Sequence, residues 1–255
     1  MKISRLFLIS VFIIGLYSNN SLAECTGRFL GYKPCNELFN STQQNQLFEE
    51  LLNQSTLGNE TANFKLGMMF EFGIYVSKNI DKANYYYLKA ANGNVVLAQF
   101  IVGLGYLNGY GLKKDLDAAL FWFVRSANSG HAKSMYNAAK IIMESADVSK
   151  YYLVIDYLEG ASVKGNLNSL ALLSRIYFDG VIVNQDIHKA LHYLNLSSEG
   201  GDVASMAVLA VFYIEGKFVD KNPRLGWKLM EKAASAGSIY AIEYIELNGG
   251  SNDKR

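Results

Sequence analysis

One pattern about 36 residues long recurs five times in this chain, and it limits the fold more tightly than any single motif. Each copy registers on a small residue: Ala62, Ala98, Ser134, Ser169 and Ser205, at steps of 36, 36, 35 and 36. Eight residues after each anchor stand Phe70, Tyr106, Ile142, Tyr177 and Tyr213. Eleven after it stand Gly73, Gly109, Ser145, Gly180 and Gly216. Self-similarity at a fixed period of this length defines a stacked solenoid, whose units bury apolar surface against their neighbours. Such a chain works through an extended surface, so the pattern speaks to binding before it speaks to chemistry.

Each unit reads as two helices. The first starts near the anchor and carries small or apolar residues at helical spacing, as in Ala98, Val102, Gly103 and Tyr106. Five residues after the anchor the side chain stays small: Gly67, Gly103, Ala139, Ser174 and Ala210. The glycine eleven after it ends the helix. The second helix opens at Asn79, Asp115, Asp186 or Asn222, whose side chains can accept from an unpaired amide of the first turn. Its core face follows as Ala83, Ala119, Val154, Ala190 and Gly226, then Tyr86, Trp122, Tyr157, Tyr193 and Leu229. The units run 61–96, 97–132, 133–167, 168–203 and 204–239. The third departs from the pattern: Met143-Glu144-Ser145-Ala146-Asp147 replaces the glycine turn, one residue short. Ser41 to Leu57 reads as a preceding half-repeat, and Ala241, Ile242 and Ile245 open a sixth first helix, so both ends are capped. The stack therefore spans 41–247, and the polar stretch 248–255 reads as a frayed tail.

The first 23 residues read as an export signal. Lys2 and Arg5 precede an apolar run from Leu6 to Leu16, and Ser21-Leu22-Ala23 is a small-x-small site, so cleavage is expected between Ala23 and Glu24. The apolar run is short of the roughly 20 residues a membrane span needs. Losing Lys2 and Arg5 takes the formal charge from +1 to −1. That balance gives no electrostatic case for nucleic acid or an anionic membrane. Cys25 and Cys35, the only cysteines, are expected to form one disulfide in the loop 24–40 of an exported chain.

At these residues the chain resembles the Sel-one-like repeat family, relatives of the tetratricopeptide repeats. The second unit carries the likeness best, in Ala98, Gly103, Tyr106, Gly109, Gly111, Leu112, Asp115, Ala119, Trp122, Ala127 and Gly130. Other units replace the second glycine by Tyr75, Ile182 or Phe218. The resemblance implies an all-α fold, a right-handed α/α solenoid with half-repeat caps. It implies an adaptor or scaffold, many of them exported by bacteria. Family roles include envelope signalling, host-factor interaction and periplasmic immunity against type VI secreted lipases. A cysteine-rich branch linked to penicillin binding does not fit, because no repeat here holds a cysteine.

Chemistry is sparse. His188 and His192 stand four apart on one helix, a spacing that can supply two metal ligands, but no third ligand completes a set. His131, after Gly130, reads as a loop residue. No nucleophile–base pattern or phosphate loop is present, so no enzyme, cofactor or metal is expected. The aromatics two after the anchor, Phe64, Phe100 and Tyr136, read chiefly as inter-repeat packing. A more informative row lies nine after each anchor: Glu71, Leu107, Met143, Phe178 and Ile214. Beside it runs Phe72, Asn108, Glu144, Asp179 and Glu215. By analogy with tetratricopeptide repeats these sit toward the concave end of the first helix. The apolar ridge and acidic row together suit a protein partner with apolar anchors and basic flanks. The partner-binding candidates are Phe72, Leu107, Met143, Glu144, Phe178, Asp179, Ile214 and Glu215. Burial of the ridge between first helices is the competing reading. Three functions are consistent with the chain: a periplasmic or secreted protein-binding adaptor, an immunity protein against a secreted lipase-type toxin, and a cell-wall-fragment binder or envelope enzyme.

Overall fold

The computed structural model describes residues 41–145 and 148–248. The signal segment, the Cys25 and Cys35 pair, Ala146, Asp147 and the tail from 249 lie outside the described residues. Among the described residues are twelve α-helices, one short 3₁₀ turn and no strand. Among the described residues two compact units are distinguished, one running to Ala98 and taking in Tyr110–Leu112, the other Gln99–Gly109 with the chain from Lys113 onward. The first holds α1 (Ser41–Thr56), α2 (Glu60–Phe72) and α3 (Ile80–Asn92). The second holds most of α4 (Val96–Asn108), then α5 (Leu116–Asn128), α6 (Ala132–Glu144), α7 (Tyr151–Val163) and α8 (Leu167–Asp179). It continues through α9 (Ile187–Glu199), α10 (Val203–Glu215), α11 (Pro223–Ser235) and α12 (Ile239–Asn248).

Side-chain caps set the helix starts. Asn79, Asp115, Asp186 and Asn222 accept from the amide three residues on at 2.9, 2.9, 3.0 and 3.1 Å. Each such cap contributes about 1 kcal/mol. The helices that open a pair are capped too, by Asn59, His131, Asn166 and Asp202. Gly73, Gly180 and Gly216 end α2, α8 and α10 with left-handed backbone. In the third pair Ser145 ends α6 in a right-handed conformation instead. A 3₁₀ turn at Val148–Lys150 then leads into α7, which has no side-chain cap.

Within each pair the core is a matched couple of one small and one large side chain. The small one lies five after the anchor, the large one on the facing helix. Gly67 lies under the ring of Tyr87, and Gly103 under that of Phe123. Where the small residue gains atoms, the large one loses its ring. Ala139 and Leu158 share one buried cluster, and Ala210 and Met230 another. Ser174 and Leu194 hold the same two places in the fourth pair, and both are buried. This is volume complementarity at constant packing density, repeated with different partners.

Successive pairs are linked by short polar chains. Ser134 Oγ donates to Ser126 Oγ at 2.8 Å, and Ser205 Oγ to Ser197 Oγ at 2.9 Å. Ser55 Oγ donates to Asn63 Oδ1 at 2.6 Å. His131, expected in a loop, belongs to one of these links. Its Nδ1 accepts from the Ser134 amide at 3.3 Å and lies 2.8 Å from Ser134 Oγ, with the ring 4.7 Å from that of Phe100. Burial first, and Lys133 second, hold the imidazole's pKa below its ordinary value.

A protonated Nδ1 cannot accept, so the cap requires the neutral ring. Above a pH of about 6.5 neither folded nor unfolded chain binds this proton, and the cap contributes fully. Below it the unfolded chain takes the proton first, so stability falls as the pH drops from there toward the lower folded value. Urea midpoints for the native chain and His131→Asn, which keeps an acceptor but does not titrate, check this. The native chain should lose more stability between pH 7 and pH 5; parallel losses would contradict the assignment.

A candidate protein-binding groove

Residues three, six or seven, and ten apart return to one face of an α-helix. On the helix that opens each pair, positions three, six and ten after the anchor form such a stripe. In the second unit it reads Leu172, Arg175 and Asp179 on α8, and Val208, Val211 and Glu215 on α10; none of these six is buried. Asn137, Lys140 and Glu144 form it on α6. A cavity of about 420 Å³ opens beside Leu172 and Arg175 of this stripe on α8 and Val208 on α10. Tyr136, Leu172, Arg175, Phe178, Val208 and Phe212 wall it, with Asn168 and Asp202 toward the helix N-termini. Asp202 is committed to its cap, accepting from the Ser205 amide at 2.7 Å. Arg175 is exposed and is the cation of the wall.

Two wall residues, Phe178 and Phe212, cluster with Phe218, which the wall does not include. Phe178 meets Phe212 edge-on at 5.7 Å between ring centroids, and Phe218 packs on both, at 5.5 and 5.2 Å. Phe218 has φ 62°, the left-handed region that Gly111 occupies at the matching place in the second repeat. Tyr75 holds it as well, at φ 60°. A non-glycine residue there costs on the order of 1 kcal/mol. Ile182, at the same place in the fourth repeat, does not adopt it. Its β-branch makes that conformation worse still.

The eight sequence candidates divide by one helical step. Leu107, Met143, Phe178 and Ile214 are half-buried. Met143 and Phe178 pack against the buried core around Leu158 and Leu173. Ile214 lies over Gly226 of α11, where an added Cβ would come within 2.6 Å of it. In the first unit the same row holds Glu71, buried and accepting from the Tyr87 hydroxyl at 2.7 Å. The neighbouring row points outward: Glu144, Asp179 and Glu215 are exposed, and Phe72 is half-buried. Phe178 alone of the ridge reaches the cavity wall. Sequence reading singled out neither Arg175, Leu172 and Val208 nor Phe212. The helical period locates the first three, because they precede Asp179 and Glu215 by one and two turns.

His188 and His192 are exposed, and His192 stands edge-on to Tyr193 at 5.4 Å. Among the described residues no three His, Cys, Asp or Glu side chains come together to hold a metal. Ser126 and Ser134, which extend the hydroxyl chain from His131, are fully buried. The Tyr193 hydroxyl donates to Glu159 at 2.8 Å. Burial and that partner push the phenol's pKa above its usual value. No described helix is long and apolar enough to cross a membrane.

The matched helix pairs and their polar links define an all-helical solenoid repeat protein. The Sel1 repeat model matches residues 61–95, 96–131, 167–202 and 203–238, more than half of the sequence, and the chain belongs to that family. The unmatched stretch between them holds the pair α6 and α7, with the altered turn. A solved Sel1 repeat protein from Oxalobacter formigenes is similar at 23% identity and TM-score 0.67, over 85% of this chain and 94% of that one. The SLR-fold protein c5321, a protective antigen of uropathogenic Escherichia coli, is similar at 21% identity and TM-score 0.73. That likeness covers all of this chain and 54% of the antigen. At these identities the two show the fold. No curated protein matches the chain in sequence.

Proposed function

We propose that this chain is an exported bacterial adaptor that binds another protein in the groove on α6, α8 and α10. One observation carries the reading: an apolar cavity of about 420 Å³ whose walls include side chains, Arg175 and Val208 among them, that the core does not use. Burying apolar side chains against such a wall is the main source of affinity in protein recognition. Export rests on the sequence of residues 1–23, and a periplasmic or secreted location follows from it. Of the residues read from sequence, Phe178 stands on the groove wall, and Glu144, Asp179 and Glu215 stand exposed at the C-terminal ends of α6, α8 and α10. The role needs no catalytic group.

Immobilised full-length chain, exposed to an envelope extract of its source at physiological salt, tests the reading. It should retain a defined polypeptide that Val208→Lys does not retain. Retention of only glycan or lipid, or equal retention by both baits, would count against it.

A further inference from the structure

Resting on that protein-binding reading, we infer that the segment seated in the groove carries an apolar or aromatic anchor flanked by one acidic and one basic residue. The anchor follows from the two rings of the wall, Phe178 and Phe212, on both of which Phe218 packs. Phe218 occupies a backbone conformation that favours glycine, yet 46% of it stays exposed. Packed on Phe178 and Phe212, it braces both rings while its outer face stays open to solvent. Phe178 and Phe212, held by it, offer ring edges and faces to one side chain inserted in the cavity.

The flanks follow from the charges on the exposed stripe. Arg175 lies on the cavity wall, and Asp179 follows one turn later on the same face of α8. The sign of the charge therefore changes within about 6 Å along the helix. An extended peptide covers that distance in about two residues. Glu215 repeats the acid at the end of α10 and Glu144 at the end of α6. All three acids stand in last turns, where the helix dipole already favours a cation. A carboxylate on the incoming segment thus meets Arg175, and an ammonium or guanidinium meets the acids, with the anchor between them. A segment with two acids or two bases would set one like charge against the groove.

Fluorescein-labelled synthetic peptides of eleven residues, each with a central Phe in a Gly/Ser background, provide the probe. One carries Asp and Lys as flanks, one two Asp, one two Lys. Anisotropy at low salt should show the mixed peptide binding the native chain about fivefold more tightly than either other. Arg175→Glu should transfer the preference to the two-Lys peptide and Asp179→Lys to the two-Asp peptide, and the double variant should restore the mixed one. Phe218→Gly should weaken all binding while leaving the melting temperature near native, because the relaxed backbone offsets the lost ring contacts. Equal binding of the three peptides, or none, would overturn the inference. If Val208→Lys still loses the captured polypeptide in that case, only the charge pattern is wrong. If it keeps the polypeptide, the groove reading fails as well.

Discussion

Gly103→Ala should destabilise the chain by about 2 kcal/mol, and Phe123→Leu added to it should return most of that loss. A Cβ on Gly103 would stand 2.7 and 2.8 Å from two carbons of the Phe123 ring. Phe123 is fully buried and its ring is held 6.0 Å from that of Phe100, so it cannot swing aside. Alanine's better helix propensity recovers up to about 1 kcal/mol, less than the overpacking. Phe123→Leu alone leaves a cavity costing about 1–2 kcal/mol, in the place the new methyl would fill. The double variant reproduces the couple of Ala139 and Leu158 in the third pair. Urea unfolding of the four chains gives the coupling directly. Additive effects would show that the two positions are not a unit.

The second large effect separates core from surface on adjoining helices. Phe178→Ser should cost about 3 kcal/mol, because the ring packs on the core around Leu173 as well as on Phe212 and Phe218. Val208→Lys should leave stability within about 0.5 kcal/mol, since Val208 is 42% exposed and lysine suits a helix. Binding should fall in both. Only in Val208→Lys can the fall be assigned to the groove, because its fold remains intact. Thermal melts by far-UV circular dichroism, beside partner titrations, read both quantities.

Much of this architecture was legible because period and phase are written in residue type. The anchors, the Asx caps at Asn79, Asp115, Asp186 and Asn222, and the irregular third turn are local features, decided by neighbours in sequence. The small residue five after each anchor was visible as a row. Its complementarity to Tyr87, Phe123, Leu158, Leu194 and Met230 emerges only across two facing helices. The two candidate rows, nine and ten after each anchor, part in burial. Position nine looks apolar and position ten acidic, yet a helix turns 100° between them, so one meets the partner helix and the other solvent. His131 was taken for a loop residue because histidine is an unusual cap, and only the Ser134 geometry reveals the role. At Tyr75 and Phe218 the glycine of the pattern is gone while the left-handed backbone remains. Sequence shows the replacement, and the coordinates show that the turn did not change to suit it.

On the proposed reading, the groove on α8 and α10 binds a protein segment and contributes little to folding. Calorimetric titration of the captured polypeptide into native and Val208→Lys chains, each with its melting curve, tests it most directly. Affinity should fall at least tenfold, about 1.4 kcal/mol, with an unchanged melting temperature. Native-like affinity in a folded Val208→Lys chain would contradict it.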